Sequence, residues 1–85
     1  MSNGYVSHTK ARPTHSGVYA VRYIARAMHD PDDLGHECEA FAYWDNGLKR
    51  WARACLGVNI ALGDRVKKTA QFFYHTRQDL DWKAI

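Results

Sequence analysis

Cysteine and proline are scarce in this chain, with 2 of each among 85 residues. Two cysteines, Cys38 and Cys55, are too few for the disulfide framework of a secreted mini-protein, and in a reducing compartment they are expected as small core residues. No stretch approaches the ~20 apolar residues of a membrane span. Met1 to His8 lacks the apolar run of a signal peptide. A cytoplasmic location without a membrane partner is the resulting expectation. A glycine-rich phosphate loop, a serine nucleophile elbow and paired catalytic carboxylates are also missing. Asp30-Pro31-Asp32-Asp33 lacks the later bidentate glutamate of a calcium loop. These absences argue against an enzyme and against a cofactor.

A metal site is the next class to weigh. His36-Glu37-Cys38 places a histidine and a cysteine close together, with Cys55, His29 and His75 as further donors. Structural zinc wants four N/S ligands in two closely spaced pairs. The chain has one such pair, so no metal is expected. Cysteine nucleophile chemistry needs an exposed thiolate near a histidine, whereas Cys55 stands between Ala54 and Leu56, an apolar setting.

Aromatic residues, by contrast, are plentiful: 3 Trp, 5 Tyr and 3 Phe, 13% of the chain. A domain this short buries only about 60–65% of its unfolded surface, and aromatics supply large buried area with few rotors to freeze. The net charge is +3, but it is laid out in blocks. Asp30, Asp32, Asp33, Glu37, Glu39 and Asp45 form an acidic block without Lys or Arg. Lys49, Arg50, Arg53, Arg65, Lys67, Lys68 and Arg77 follow, against Asp64 alone. Such segregation makes either two opposed surface patches or two strands paired through their charges.

Residues 1–16 show no sustained period and read as a flexible arm, leaving 17–85 as one compact sheet domain. Val18 to Arg26 alternates β-branched and aromatic residues and predicts a strand. Glu37 to Asp45 and Leu48 to Ala54 flank Asn46-Gly47, the pair preferred by a two-residue type I′ turn. That turn would set Trp44 against Lys49, Ala42 against Trp51, Ala40 against Arg53 and Cys38 against Cys55. In 56–68, Asp64 is a candidate cap for a short helix beginning near Arg65. Thr69 to Thr76 prefers a strand by propensity, with a helix running on to His75 as the alternative. The apolar alternation of 80–85 suggests a short closing strand. The expected fold is mainly β, with α+β as the alternative: a small antiparallel sheet of four or five strands with at most one short helix. Tyr19, Val21, Phe41, Trp51, Phe72, Tyr74 and Trp82 are its expected core.

Three stretches carry a resemblance: Pro13-x-x-x-Gly17-x-Tyr19-x-Val21-Arg22, then Tyr43-Trp44-Asp45-x-Gly47-x-x-x-Trp51, then Gln71 with Trp82-Lys83-Ala84-Ile85. The series resembles small uncharacterised accessory proteins of phages and prophages in proteobacteria. It departs from them at Lys83-Ala84-Ile85, where Arg-Gly-Leu would be expected, and in the acidic insertion at 27–36. The resemblance brings no active site. It implies a non-enzymatic protein that binds a host or phage macromolecule, including inhibitors of host defence systems such as CRISPR nucleases.

Three binding readings follow. Asp30, Asp32, Asp33, Glu37 and Glu39 are the candidate contact for a protein partner with a basic groove, by imitation of nucleic-acid phosphates. Trp44, Lys49, Arg50 and Arg53 are the candidate contact for a single-stranded nucleic acid, which asks for cations beside stacking aromatics. An unpaired edge strand would instead favour a structural homodimer.

Overall fold

The computed structural model describes residues 4–26 and 30–85; His29, one of the weighed metal donors, lies outside them. The core of the architecture is a four-stranded antiparallel sheet in the order β3-β2-β1-β4. Its strands are β1 (Gly17–Ala25), β2 (His36–Asp45), β3 (Arg50–Trp51) and β4 (Asp81–Lys83). One short helix, α1 (Val58–Gly63), runs directly into a 3₁₀ turn at Asp64–Val66. The fold is thus the small antiparallel sheet with one short helix that the alternation pattern implies.

Register decides which side chains become core. Tyr19 faces Ala42, Val21 faces Ala40 and Tyr23 faces Cys38, so the small alanines of β2 make room for the aromatics of β1. Across the other edges Trp44 faces Trp51, and Val21 faces Trp82. Val21, Ala40, Ala42, Trp44, Trp51 and Leu80 form the buried cluster, with Tyr19, Tyr23 and Trp82 packed on it. The Trp44 and Trp51 rings meet edge-on at 5.0 Å, and Tyr19 meets Trp51 at 5.9 Å. Such pairs add to the large area these rings bury.

The hairpin departs from the type I′ expectation. Asp45 pairs with Arg50 and Trp44 with Trp51, so Asn46 to Lys49 form a four-residue connection, and Lys49 rather than Gly47 takes positive φ, at 56°. Side chains select this loop. Asp45 Oδ1 accepts the Leu48 N–H at 3.0 Å, and Asn46 Oδ1 accepts from Trp44 Nε1 at 3.3 Å and from Lys49 Nζ at 2.8 Å. The shift from the expected pairing is two residues at Trp51, which keeps every side chain on its face. Beyond Ala52 the register slips by one more, and Cys55 comes to face Phe41. Extra residues in one strand produce such a slip.

That slip places the cysteines on opposite faces. Cys38 shares the core side with Tyr23, whereas Cys55 shares the other side with Phe41. Cys38 is also three positions along β2 from Phe41, about 10 Å at a strand's rise, too far for a disulfide. Mild oxidation followed by mass spectrometry is therefore expected to yield no intramolecular Cys38–Cys55 bridge.

The segment 69–76 is a π-helical turn at Ala70–Tyr74 and not a strand. The Thr69 carbonyl accepts from both the Phe72 and Phe73 N–H groups at 3.1 Å, and Arg50 Nε donates to the Phe73 carbonyl at 2.6 Å. Phe73 is wholly buried, while Tyr74 is exposed and Phe72 half-buried. The expected burial of Phe72 and Tyr74 was therefore one residue out of phase on either side. Asp64 does not cap a helix at Arg65. Its own N–H closes the end of α1 on the Ala61 and Leu62 carbonyls.

The outer sides of β3 and β4 are bonded in part. Gln78 docks on the outer side of β3 as a strand would: its Oε1 accepts the Trp51 N–H at 2.8 Å and its Nε2 donates to the Trp51 carbonyl at 2.9 Å. On the far side, Val6 and Trp82 exchange N–H···O bonds of 2.6 and 3.0 Å. The described residues 4–16 of the segment read as a flexible arm are tied down here, with Tyr5 and Pro13 buried and the Trp82 indole N–H donating to the Ala11 carbonyl. Edge pairing between two copies thus finds Trp51 and Trp82 already bonded.

Candidate functional site

Most of each charge block lies toward its own end of β2, although Asp45 joins the basic end through Lys68 and Arg77 donates to the Ile24 carbonyl near the acidic end. β2 runs from His36, beside the acidic loop, to Asp45, beside the basic segment, a separation of about 30 Å at the usual strand rise. At the acidic end, Asp30 and Asp32 are exposed. Asp30 Oδ1 accepts the Asp32 N–H at 3.0 Å, and Asp33 Oδ1 accepts the Gly35 N–H at 2.8 Å. Gly35 has φ of +86°, and a Cβ there would stand 2.5 Å from Ile24 Cγ2, so the loop requires glycine. The carboxylates therefore shape the loop as well as charging it. Glu37 and Glu39 project from the opposite sheet face to the core, where Arg22 faces Glu39 across the pair and reaches within 4.0 Å of Glu37. The five acids proposed as one contact divide into a loop group and a strand group that has Arg22 beside it, a guanidinium shared with Asp81.

At the other end, the predicted residues Trp44, Lys49, Arg50 and Arg53 also divide. Trp44 is 1% exposed, so its indole offers no face for stacking. Lys49 is exposed on the turn, with its ammonium on Asn46 Oδ1. Arg50 reaches across to the π-turn: its guanidinium donates to the Phe73 and Tyr74 carbonyls and lies 5.2 Å from the Tyr74 ring centre. Arg53 lies 4.9 Å over the Phe72 ring, and Lys67 Nζ lies 4.8 Å over the same ring. Pairs of this kind hold a cation and a π-face together in register. Phe72 and Tyr74 went unrecognised as site residues because their segment was read as a strand.

Beneath these cations lie two buried carboxylates. Asp64, with no exposed surface, accepts from Arg53 Nε at 3.2 Å and has Lys67 Nζ at 3.8 Å. Asp45 has Lys68 Nζ at 3.1 Å. Burial pushes the Asp45 carboxyl up, but the Leu48 N–H and the Lys68 ammonium outweigh it and hold it below the usual range. The two anions anchor cations whose outer surfaces stay in water: Arg53, Lys67 and Lys68 are 45%, 46% and 59% exposed. Arg65 is exposed on the 3₁₀ turn between them. Alongside, Leu56, Ile60 and Val66 present apolar side chains to solvent.

Elsewhere, the chemistry is that of packing. Burial and then the neighbouring Asp64 carboxylate push the Cys55 thiol up, the reverse of an activated nucleophile. His8 binds Asp81 Oδ1 through both its backbone N–H and its ring Nδ1, while Arg22 Nε donates to Asp81 Oδ2, fastening the arm to β4. A shallow groove of about 600 Å³ is lined by Tyr5, Ala20, Glu39, Phe41, Lys83 and Ile85. Among the described residues, no group of three or more His, Cys, Asp or Glu is arranged to hold a metal ion. Among them also, no helix is long and apolar enough to cross a membrane. The chain matches no protein-family model, no curated protein and no solved structure, so the geometry of its own residues is what bears on function.

Proposed function

We propose that this chain is a non-enzymatic accessory protein of phage type that acts by binding another macromolecule, and that the partner is anionic where it meets the basic end. The observation that carries this reading is the set of half-exposed cations fixed over Phe72 and Tyr74. A surface whose charges are held in place by carboxylates and rings loses less side-chain entropy on binding than free lysines would. The acidic loop at the opposite end disfavours approach of the same partner there and so orients it.

A protein partner with an acidic rim is the second reading, favoured by Leu56, Ile60 and Val66 at 91%, 55% and 76% exposure beside the cations. Inhibition of a host defence nuclease belongs to this reading. The test is affinity capture from host lysate by the full chain, by an Arg65→Glu/Lys67→Gln variant and by an Asp30→Asn/Asp32→Asn variant. Capture lost only in the first variant is expected. Loss in the aspartate variant alone moves the contact to the acidic loop and overturns the proposal.

A further inference from the structure

The π-turn supplies more than charge. Phe73 points into the protein and is wholly buried, so its neighbours Phe72 and Tyr74 project on opposite flanks of the same turn. Each flank carries its own cations: Arg53 and Lys67 on Phe72, Arg50 on Tyr74. Gln71 and His75 lie exposed on either side of this trio in the chain. Tyr74 is 49% exposed, so part of its ring remains open to a flat ligand. Arg50 is pinned by two main-chain carbonyls, yet a guanidinium has five N–H donors, and the remaining ones are free of those two bonds.

From this arrangement we infer that the partner at the basic end is a single-stranded nucleic acid, lying across the π-turn. This rests on the anionic-partner reading above and names its chemistry. Phosphates meet Arg53, Lys67 and Arg50, and an unpaired base stacks on Tyr74. A duplex keeps its bases stacked on one another and cannot use the ring. An acidic polypeptide satisfies the cations but has no need of an aromatic face. The combination of cations and a half-open ring therefore selects the single strand.

The test titrates the purified full chain with fluorescein-labelled oligo-dT of twenty nucleotides, followed by anisotropy. A duplex of the same length and poly-glutamate serve as comparison ligands. Tighter binding of the single strand than of either is expected, with affinity falling as salt rises because released counterions accompany phosphate contacts. Tyr74→Ala is expected to weaken oligo-dT binding by about 5- to 150-fold, the range of one lost base–aromatic stack, whereas Tyr74→Phe retains it. Lys67→Gln is expected to flatten the salt dependence. Melting temperatures of the three variants near that of the parent keep these changes from being unfolding. Equal affinity for duplex or poly-glutamate, or Tyr74→Ala without effect, overturns the inference. Absence of oligo-dT binding, together with lysate capture that still depends on Arg65 and Lys67, overturns the nucleic-acid assignment and leaves the anionic-partner reading standing. Absence of both removes both.

Discussion

Trp51→Ala is expected to lower the unfolding free energy by about 3–5 kcal/mol. The indole has no exposed surface and is enclosed by Trp44, Tyr19 and the alanines of β2. Those neighbours belong to two different strands, β1 and β2, so the cavity cannot close by one side chain moving in. A domain's whole stability is about 5–15 kcal/mol, so this one change consumes much of it. Urea unfolding followed by far-UV circular dichroism measures the loss. Trp51→Phe is expected to lose less, since it keeps most of the ring and removes the Trp51 Nε1 donor, which is buried with no partner among the described residues. A loss below about 1 kcal/mol for the alanine variant would mean that the ring is solvated in solution.

Asp64→Ala is expected to cost about 1.5–3 kcal/mol, the range of a hydrogen bond to a charged group. A buried ion pair broken from one side often costs more, because the stranded charge stays buried. Here the stranded partners, Arg53 and Lys67, are nearly half in water and can be solvated where they stand. The asymmetry has a measurable consequence. Arg53→Ala leaves the carboxylate of Asp64 wholly buried with Lys67 at 3.8 Å as its remaining cation, and it is expected to be the more damaging of the two. Paired denaturation curves decide the order. The reverse order would show that solvent reaches Asp64.

The parts of the fold that were legible in the sequence are those governed by period. Val18, Ala20, Arg22 and Ile24 against Tyr19, Val21, Tyr23 and Ala25 define two faces without knowledge of any partner, and β1 follows. The closing strand at Asp81–Lys83 was readable for the same reason. The hairpin register was not, because it is set by Asp45 and Asn46 side chains bonding a loop that Asn-Gly propensity alone does not describe. Phe72-Phe73-Tyr74 misled in another way. Their local preference is extended, but Arg50 and the Thr69 carbonyl hold them in a helical turn, and both are tertiary or cap contacts invisible to propensity.

The candidate site was half legible. Arg50 and Arg53 were found as cations of a basic segment placed beside aromatics. Their aromatic partners were assigned to Trp44, whose partner in space is Trp51. The signal for Tyr74 and Phe72 was present as an aromatic run following a basic one. Joining the two requires knowing that the chain turns back over β3 between them.

Gln78 gives the sheet a stopper of a particular kind. An incoming strand from another molecule must displace the tethered Gln78 carboxamide and the Thr76 hydroxyl, which also donates to the Trp51 carbonyl at 2.7 Å, to template growth on Trp51. A group attached through a short stretch of chain competes at an effective concentration of roughly millimolar order, above the concentration of most proteins in solution. The protection is therefore local, set by two side chains and not by unzipping of a strand. Templated polymerisation from this edge is suppressed for as long as that amide stays seated.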